Sequence, residues 1–140
     1  VEALECPGAA LEMSRHERLV GQLYEERSRK GVGDFPLTRR IDGYWDRTGT
    51  ELDLVALNEE ERVIRFGTCK RSASRLVPDL ERFDGHIERF IDAHPRYSGW
   101  SIEKVAIAPV IDAPLRRKIQ ESGYRPQDLT DLTEGLQEPR

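Results

Sequence analysis

The sequence predicts an α/β fold with a mixed central sheet, because its apolar residues change period along the chain. Residues 39–70 alternate apolar and polar side chains and are cut by two turn signals, the pattern of three consecutive strands. Residues 76–93 then place Val77, Leu80, Phe83, Ile87, Phe90 and Ile91 at steps of three and four, the pattern of an amphipathic helix. The run from Lys104 to Val110 is apolar and rich in β-branched residues, as a buried strand requires.

Each element has its own local cause. Between about Ala10 and Lys30, Leu11, Leu19, Val20, Leu23 and Tyr24 recur at helical spacing with no proline and one glycine. Gly31, Gly33 and Pro36 end that helix, after which Ile41, Gly43 and Trp45 alternate with Arg40, Asp42 and Tyr44 in a half-buried strand from Arg39 to Arg47. Asp46-Arg47-Thr48-Gly49 turns the chain into a second strand, from about Thr50 to Leu57. Asn58-Glu59-Glu60 turns it again into a third, from about Arg62 to Lys70, which completes a meander. The helix at 76–93 then covers one face of the sheet. The loop from His94 to Trp100 leads to the strand at 104–110, a helix from Pro114 to Ser122 closed by Gly123, and a strand, turn and short helix between Tyr124 and Leu136. The predicted order is αβββαβ with an αβ extension, its helices flanking a mixed sheet.

At 140 residues the chain is expected to form one domain over residues 11–140. Val1 is not a Met and no charged-then-apolar signal follows it, so residues 1–10 read as a linker from an upstream region of a longer polypeptide. Hydrophobic content of 37% with 34% charged residues suits a soluble, cytoplasmic protein, and no apolar run approaches a membrane helix. Cys6 and Cys69 have no zinc-site spacing and are expected as reduced thiols. The net charge of −4 argues against a protein that coats nucleic acid indiscriminately. Charge is segregated, however. Residues 61–75 carry Arg62, Arg65, Lys70, Arg71 and Arg75 against Glu61 alone, whereas residues 76–95 carry Asp79, Glu81, Asp84, Glu88 and Asp92 against Arg82 and Arg89. On this count the helix at 76–93 should not face a phosphate backbone.

Residues 49–70 carry the chemistry. Side chains alternate across a strand, so Glu51 and Asp53 are expected on one face of the second strand, and Thr68 and Lys70 on one face of the third. Hydrolysis of a phosphodiester needs charge neutralisation on the phosphate and an activated water, which Mg²⁺ on carboxylates with a lysine beside the water provides. Asp53 would be the principal metal ligand, with the backbone carbonyl of Cys69, and Glu17 on the first helix would reach the site through a water. Thr68 offers only a neutral hydroxyl, so Mg²⁺ would be held weakly unless Glu51 or Glu17 supplies the missing anion.

The run Tyr44-Trp45-Asp46-Arg47, then Glu51-Leu52-Asp53-Leu54-Val55-Ala56-Leu57-Asn58, then Phe66-Gly67-Thr68-Cys69-Lys70, resembles the C-terminal domain of archaeal-type DEXX-box ATPases. There the strands read close to WWDRxGEIDIVALN and LFGECKW. His16-Glu17-Arg18-Leu19-Val20 is similar to that family's FEELV stretch, so the resemblance spans roughly residues 11–110. It implies a restriction-endonuclease-like PD-(D/E)XK fold that follows an ATPase module upstream. Position by position, Glu17, Asp53 and Lys70 match the nuclease pattern, and Thr68 stands where the family has glutamate.

His16, His86 and His94 lack metal-ligand spacing and receive no role. Trp45 is expected in the core or as a wall of the site. Arg39, Arg40, Arg71 and Arg75 are the candidates for phosphate contacts, with DNA as the partner. The expected function is therefore a degenerate nuclease-like module that binds nucleic acid or regulates a partner, against an active Mg²⁺-dependent nuclease using Asp53, Lys70 and Glu17 or Glu51. A homo-oligomerisation module is the third reading.

Overall fold

The computed structural model describes residues 15–39 and 41–136. The expected linker at 1–10, Cys6 and Arg40 lie outside them. Nine main elements follow in order: α1 (Arg15–Arg29), β1 (Asp42–Trp45), β2 (Glu51–Asn58), β3 (Val63–Cys69), α2 (Leu76–Ala93), β4 (Ser101–Ile107), α3 (Ala113–Glu121), β5 (Arg125–Gln127) and α4 (Leu129–Thr133). The predicted αβββαβ order with an αβ extension is the observed one. The five strands form one mixed sheet in chain order. β1, β2 and β3 run antiparallel, and β4 and β5 continue parallel to β3. Parallel neighbours need a crossover, and α2 and α3 supply the two that are required.

A separate core fills each face. On one, Leu76, Leu80, Phe83, Ile87 and Phe90 of α2 meet Leu52, Val55, Leu57, Ile64 and Phe66 of the sheet, with Ile119 of α3 beside them. Phe90 is fully buried, edge-on to Tyr44 and Phe66 at centroid distances of 4.8 and 5.4 Å. On the other face, Val20 and Tyr24 of α1 and Leu132 of α4 cover Leu54, Ala56, Val105 and Ile107. The two short C-terminal elements are fixed by polar caps. Asp128 opens α4 in a reciprocal capping box with Asp131, and Arg116 of α3 binds both carboxylates, at 2.8 and 2.9 Å.

Arg65 differs most from its expected place. Counted in the sequence among the basic residues flanking the site, it is buried to 1% exposure on the α1 side of β3. Its guanidinium binds Asp34 at 3.0 Å, Glu103 at 2.7 Å and the hydroxyl of Tyr24 at 3.0 Å, and it lies 4.8 Å from the Phe35 ring centre. A buried guanidinium persists only when its donors are met, and here two carboxylates and a phenol meet them. The phenol in turn donates to Gln127 of β5. The same charge attraction holds Asp34 below the ordinary carboxylate range: burial alone would raise it, and Arg65 with Arg125 outweighs that. The cluster ties α1, the segment at Asp34 and Phe35, β3, β4 and β5 together.

β2 contains one irregularity that matters for the site. Leu52 and Val55 lie in the α2-side core, yet Leu54 and Ala56 lie in the α1-side core, so strict alternation fails between 52 and 55. The register shows why. From the pair Asp42–Val55 to the pair Tyr44–Leu52, β1 advances two residues and β2 three. The extra residue falls at Asp53–Leu54 and forms a β-bulge, which re-aims a side chain at the cost of a local break in the ladder.

Candidate functional site

The bulge sets Asp53 at the point where β2 and β3 part. Their last paired residues are Leu54 and Gly67. Beyond them the amide of Cys69 donates to Oδ2 of Asp53 at 2.8 Å, and the hydroxyl of Thr68 donates to the same oxygen at 3.4 Å. Glu17, in the first turn of α1, shares a side-chain hydrogen bond with Asp53. Burial pushes the Asp53 carboxyl up to about 6, the negative charge of Glu17 adds to the rise, and the Cys69 amide and the ammonium of Lys70 oppose it.

Lys70 follows directly after β3, its own amide donating to the carbonyl of Ile107 at the end of β4. Its side chain is partly exposed, and Nζ lies 3.4 Å from Asp79 on α2. The ammonium thus stands between the charge of Asp53 and that of Asp79. A pocket of about 280 Å³ opens beside it, lined by Lys70, Ser74, Arg75, Pro78 and Asp79. Arg71 and Arg75 are both exposed at this strand end. Arg71 bears on His16 of α1: burial and then Arg71 hold the imidazole below its ordinary value, against the pull of Asp53.

The structure therefore brings together Asp53, Glu17, Lys70, Thr68 and Cys69, with Arg71 and Arg75 at the rim. Glu51 sits elsewhere, exposed at the start of β2, where its amide donates to Nδ1 of His86 on α2. Arg39 pairs with Glu59 at 2.5 Å, at the opposite end of β2 and about 20 Å of strand from Asp53. Trp45 is 36% exposed at the end of β1. Cys69 is a buried free cysteine whose thiol burial pushes well above its ordinary range, which makes it unreactive at neutral pH.

The chain has no matching family model and no matching curated protein. Among solved structures it is similar to the crystal structure of a repair endonuclease from Pyrococcus abyssi, with a TM-score of 0.42 and 15% sequence identity. The match covers 87% of this chain and 49% of the other, so the chain spans about half the length of that protein.

The donor set can be tested against the Mg²⁺ that the sequence resemblance implies. Mg²⁺ binds through one or two carboxylates, keeping waters or phosphate oxygens in its other positions. Glu17 and Asp53 are two hard carboxylates close enough for the charge of Glu17 to raise Asp53, a repulsion that a bound dication would relieve. That fits. Among the described residues no group of three or more His, Cys, Asp and Glu side chains is placed to hold a metal. No helix among the described residues is long and apolar enough to cross a membrane.

Sequence reasoning missed two things here. The bulge has no glycine or proline signal of its own, and only pairing with β1 exposes it. His86 receives no role in the sequence because it lacks metal-ligand spacing. Its partners, Arg82 and Arg89, lie three or four residues from it along α2.

Proposed function

We propose that this chain is a nuclease-like domain of a larger ATPase, and that it binds DNA at the Lys70–Arg75 edge without cleaving it. The observation that carries the reading is the occupation of the Asp53 carboxylate. Its Oδ2 takes the Cys69 amide and the Thr68 hydroxyl where the resembled nuclease pattern has a second strand carboxylate, and Lys70 is drawn toward Asp79. The link to an ATPase rests on the resemblance at Tyr44–Asn58 and Phe66–Lys70, and a Walker A segment in the same reading frame would be its test.

One observation favours a second reading, an active Mg²⁺-dependent nuclease. Glu17 meets Asp53, and this pair would hold the ion while Lys70 positions the water. When bound, the ion would neutralise phosphate charge and acidify a water.

Calorimetric titration of Mg²⁺ into the protein, with an oligonucleotide cleavage assay beside it, separates the two. The first reading expects binding weaker than millimolar and no cleavage. Submillimolar binding lost in Asp53→Ala, with cleavage lost in parallel, would replace it with the second. Thr68→Glu should raise Mg²⁺ affinity under either reading, because it adds a carboxylate beside Asp53; no gain would show that positions 53 and 68 do not face one ion.

A further inference from the structure

One feature of α2 contradicts its charge count. Arg75, Asp79, Arg82, His86 and Arg89 follow one another at steps of four, three, four and three, so they share one face of the helix. The acids Glu81, Glu88 and Asp92 fall on another, and Asp84 turns to Lys104 and Tyr124. The segment is acidic in sum, yet the face that continues from Lys70 is basic.

Along this face a continuous polar chain runs away from the site. Asp79 is ion-paired with Lys70 at 3.4 Å and accepts from Arg82, its Oδ1 lying 2.8 Å from one guanidinium nitrogen. Arg82 then reaches Nε2 of His86 at 3.2 Å, and Arg89 reaches Nδ1 at 2.9 Å. Nδ1 also faces the amide of Glu51 at 3.2 Å, and Nε of Arg89 donates to the hydroxyl of Thr50 at 3.0 Å.

The donors in this chain outnumber the acceptors. A neutral imidazole has one N–H and one acceptor nitrogen, and an imidazolium has no acceptor at all. His86 is nevertheless approached by three N–H groups on its two nitrogens. If Nδ1 accepts, Nε2 carries a hydrogen that confronts the guanidinium of Arg82; the other tautomer turns its hydrogen on Arg89 and Glu51. The ring is 5% exposed, so water does little to relieve the surplus. Arg89 forms no ion pair among the described residues, while the Arg82 side chain is 62% exposed. Arg82 has a carboxylate in Asp79, but Arg89, held on the same ring with donors left over, has no anion among the described residues.

We infer that Arg82, His86 and Arg89 form a phosphate seat that takes a backbone phosphate of a nucleic-acid strand leaving the Lys70 pocket along α2. The inference rests on the DNA-binding reading above and adds a path to it. From Asp79 to Arg89 the helix rises about 15 Å, enough for a strand to follow α2 beyond the pocket. A phosphate oxygen accepts from Arg82 and Arg89 together, and the imidazole then needs to accept only from the Glu51 amide.

The test is binding of a fluorescent single-stranded oligonucleotide to the full chain across a salt series. Arg82→Ala and Arg89→Ala are each expected to weaken binding five- to tenfold and to flatten the dependence of log K on log salt by about 0.7. Arg117→Ala, which removes the same charge from the exposed surface of α3, is expected to change neither. Arg82 is exposed, so its removal leaves the fold intact and carries the result even where Arg89→Ala is unstable. Binding that weakens in Arg71→Ala and is unaltered in both α2 variants would overturn the seat and leave the DNA reading standing. Equal losses in Arg82→Ala and Arg117→Ala would also overturn the seat, since they would reflect net charge alone. Absence of oligonucleotide binding by the unaltered chain would remove the DNA reading and the seat together.

Discussion

Asp53 should destabilise the fold whenever it is ionised, and Asp53→Asn should therefore stabilise the protein at neutral pH. The carboxyl's ordinary value is 3.8, and in the folded chain burial and Glu17 carry it to about 6. The sign follows from linkage: the folded state holds the proton more tightly than the unfolded state, so this group's contribution is complete below pH 4 and disappears as pH rises through 6. A rise of that size corresponds to about 3 kcal/mol between the two ends of the window, an upper bound because Asp53 interacts with Glu17. Asparagine keeps an acceptor for the Cys69 amide and gains a donor for Glu17, so the variant loses little of the geometry. Urea unfolding at steps from pH 4 to pH 8 measures the difference. The variant should match the unaltered protein near pH 4 and exceed it by up to about 3 kcal/mol at pH 8. A variant no more stable at pH 8, or a difference that does not grow with pH, would refute the claim that burial, with Glu17 beside it, raises the Asp53 carboxyl.

Three other substitutions probe the frame. Arg65→Ala should cost about 1–3 kcal/mol in urea unfolding, because it removes a buried side chain and leaves the Tyr24 hydroxyl, Asp34 and Glu103 without its donors, the two carboxylates being over a third exposed; a loss under about 0.5 kcal/mol would mean the cluster contributes little. Gly67→Ala should cost about 1–3 kcal/mol, since the added Cβ would sit 3.1 Å from Cγ2 of Val105 and 3.5 Å from Cβ of Leu54. A neutral outcome would show that Val105 can step aside. In a Cys6→Ser background, the buried Cys69 thiol should react with a thiol reagent only as fast as the protein opens, and labelling at the speed of a free thiol would contradict its burial.

Most of the fold could be read from periodicity. The helix expected at 76–93 is observed at those residues, and the strands expected at 50–57 and 62–70 are observed one residue shifted or trimmed, at 51–58 and 63–69. These segments have a single apolar face or a clean alternation, so local pattern and tertiary burial agree. The strand expected at 104–110 instead begins at Ser101 and ends at Ile107. Its first four residues are exposed or only partly buried and carry no apolar signature, and Pro109 cannot donate to a ladder. β1 is shorter than the alternation from Arg39 suggested, running from Asp42 to Trp45.

The site was harder to read for a physical reason. Asp53, Glu17 and Lys70 were visible as residue types, and the structure brings them into one another's fields. Strict alternation, however, gave no sign of the bulge at Asp53–Leu54, and Glu51 is exposed at the start of β2 with its amide on His86. Arg65 and Arg71 look alike in a run of basic residues, yet one is enclosed by Asp34 and Glu103 and the other is exposed. Partners 31 and 38 residues away decide that difference, and no local window contains them.

The extra residue in β2 also bears on how the chain tolerates changes in length. Deleting one position at 53 or 54 would let β1 and β2 zip without interruption and would give a more regular sheet. It would also withdraw the acid from the fork and leave the Cys69 amide without its acceptor. Variants selected only for a higher melting temperature should therefore drift toward that shortened strand, and a screen that also demands ligand binding should retain the irregular one.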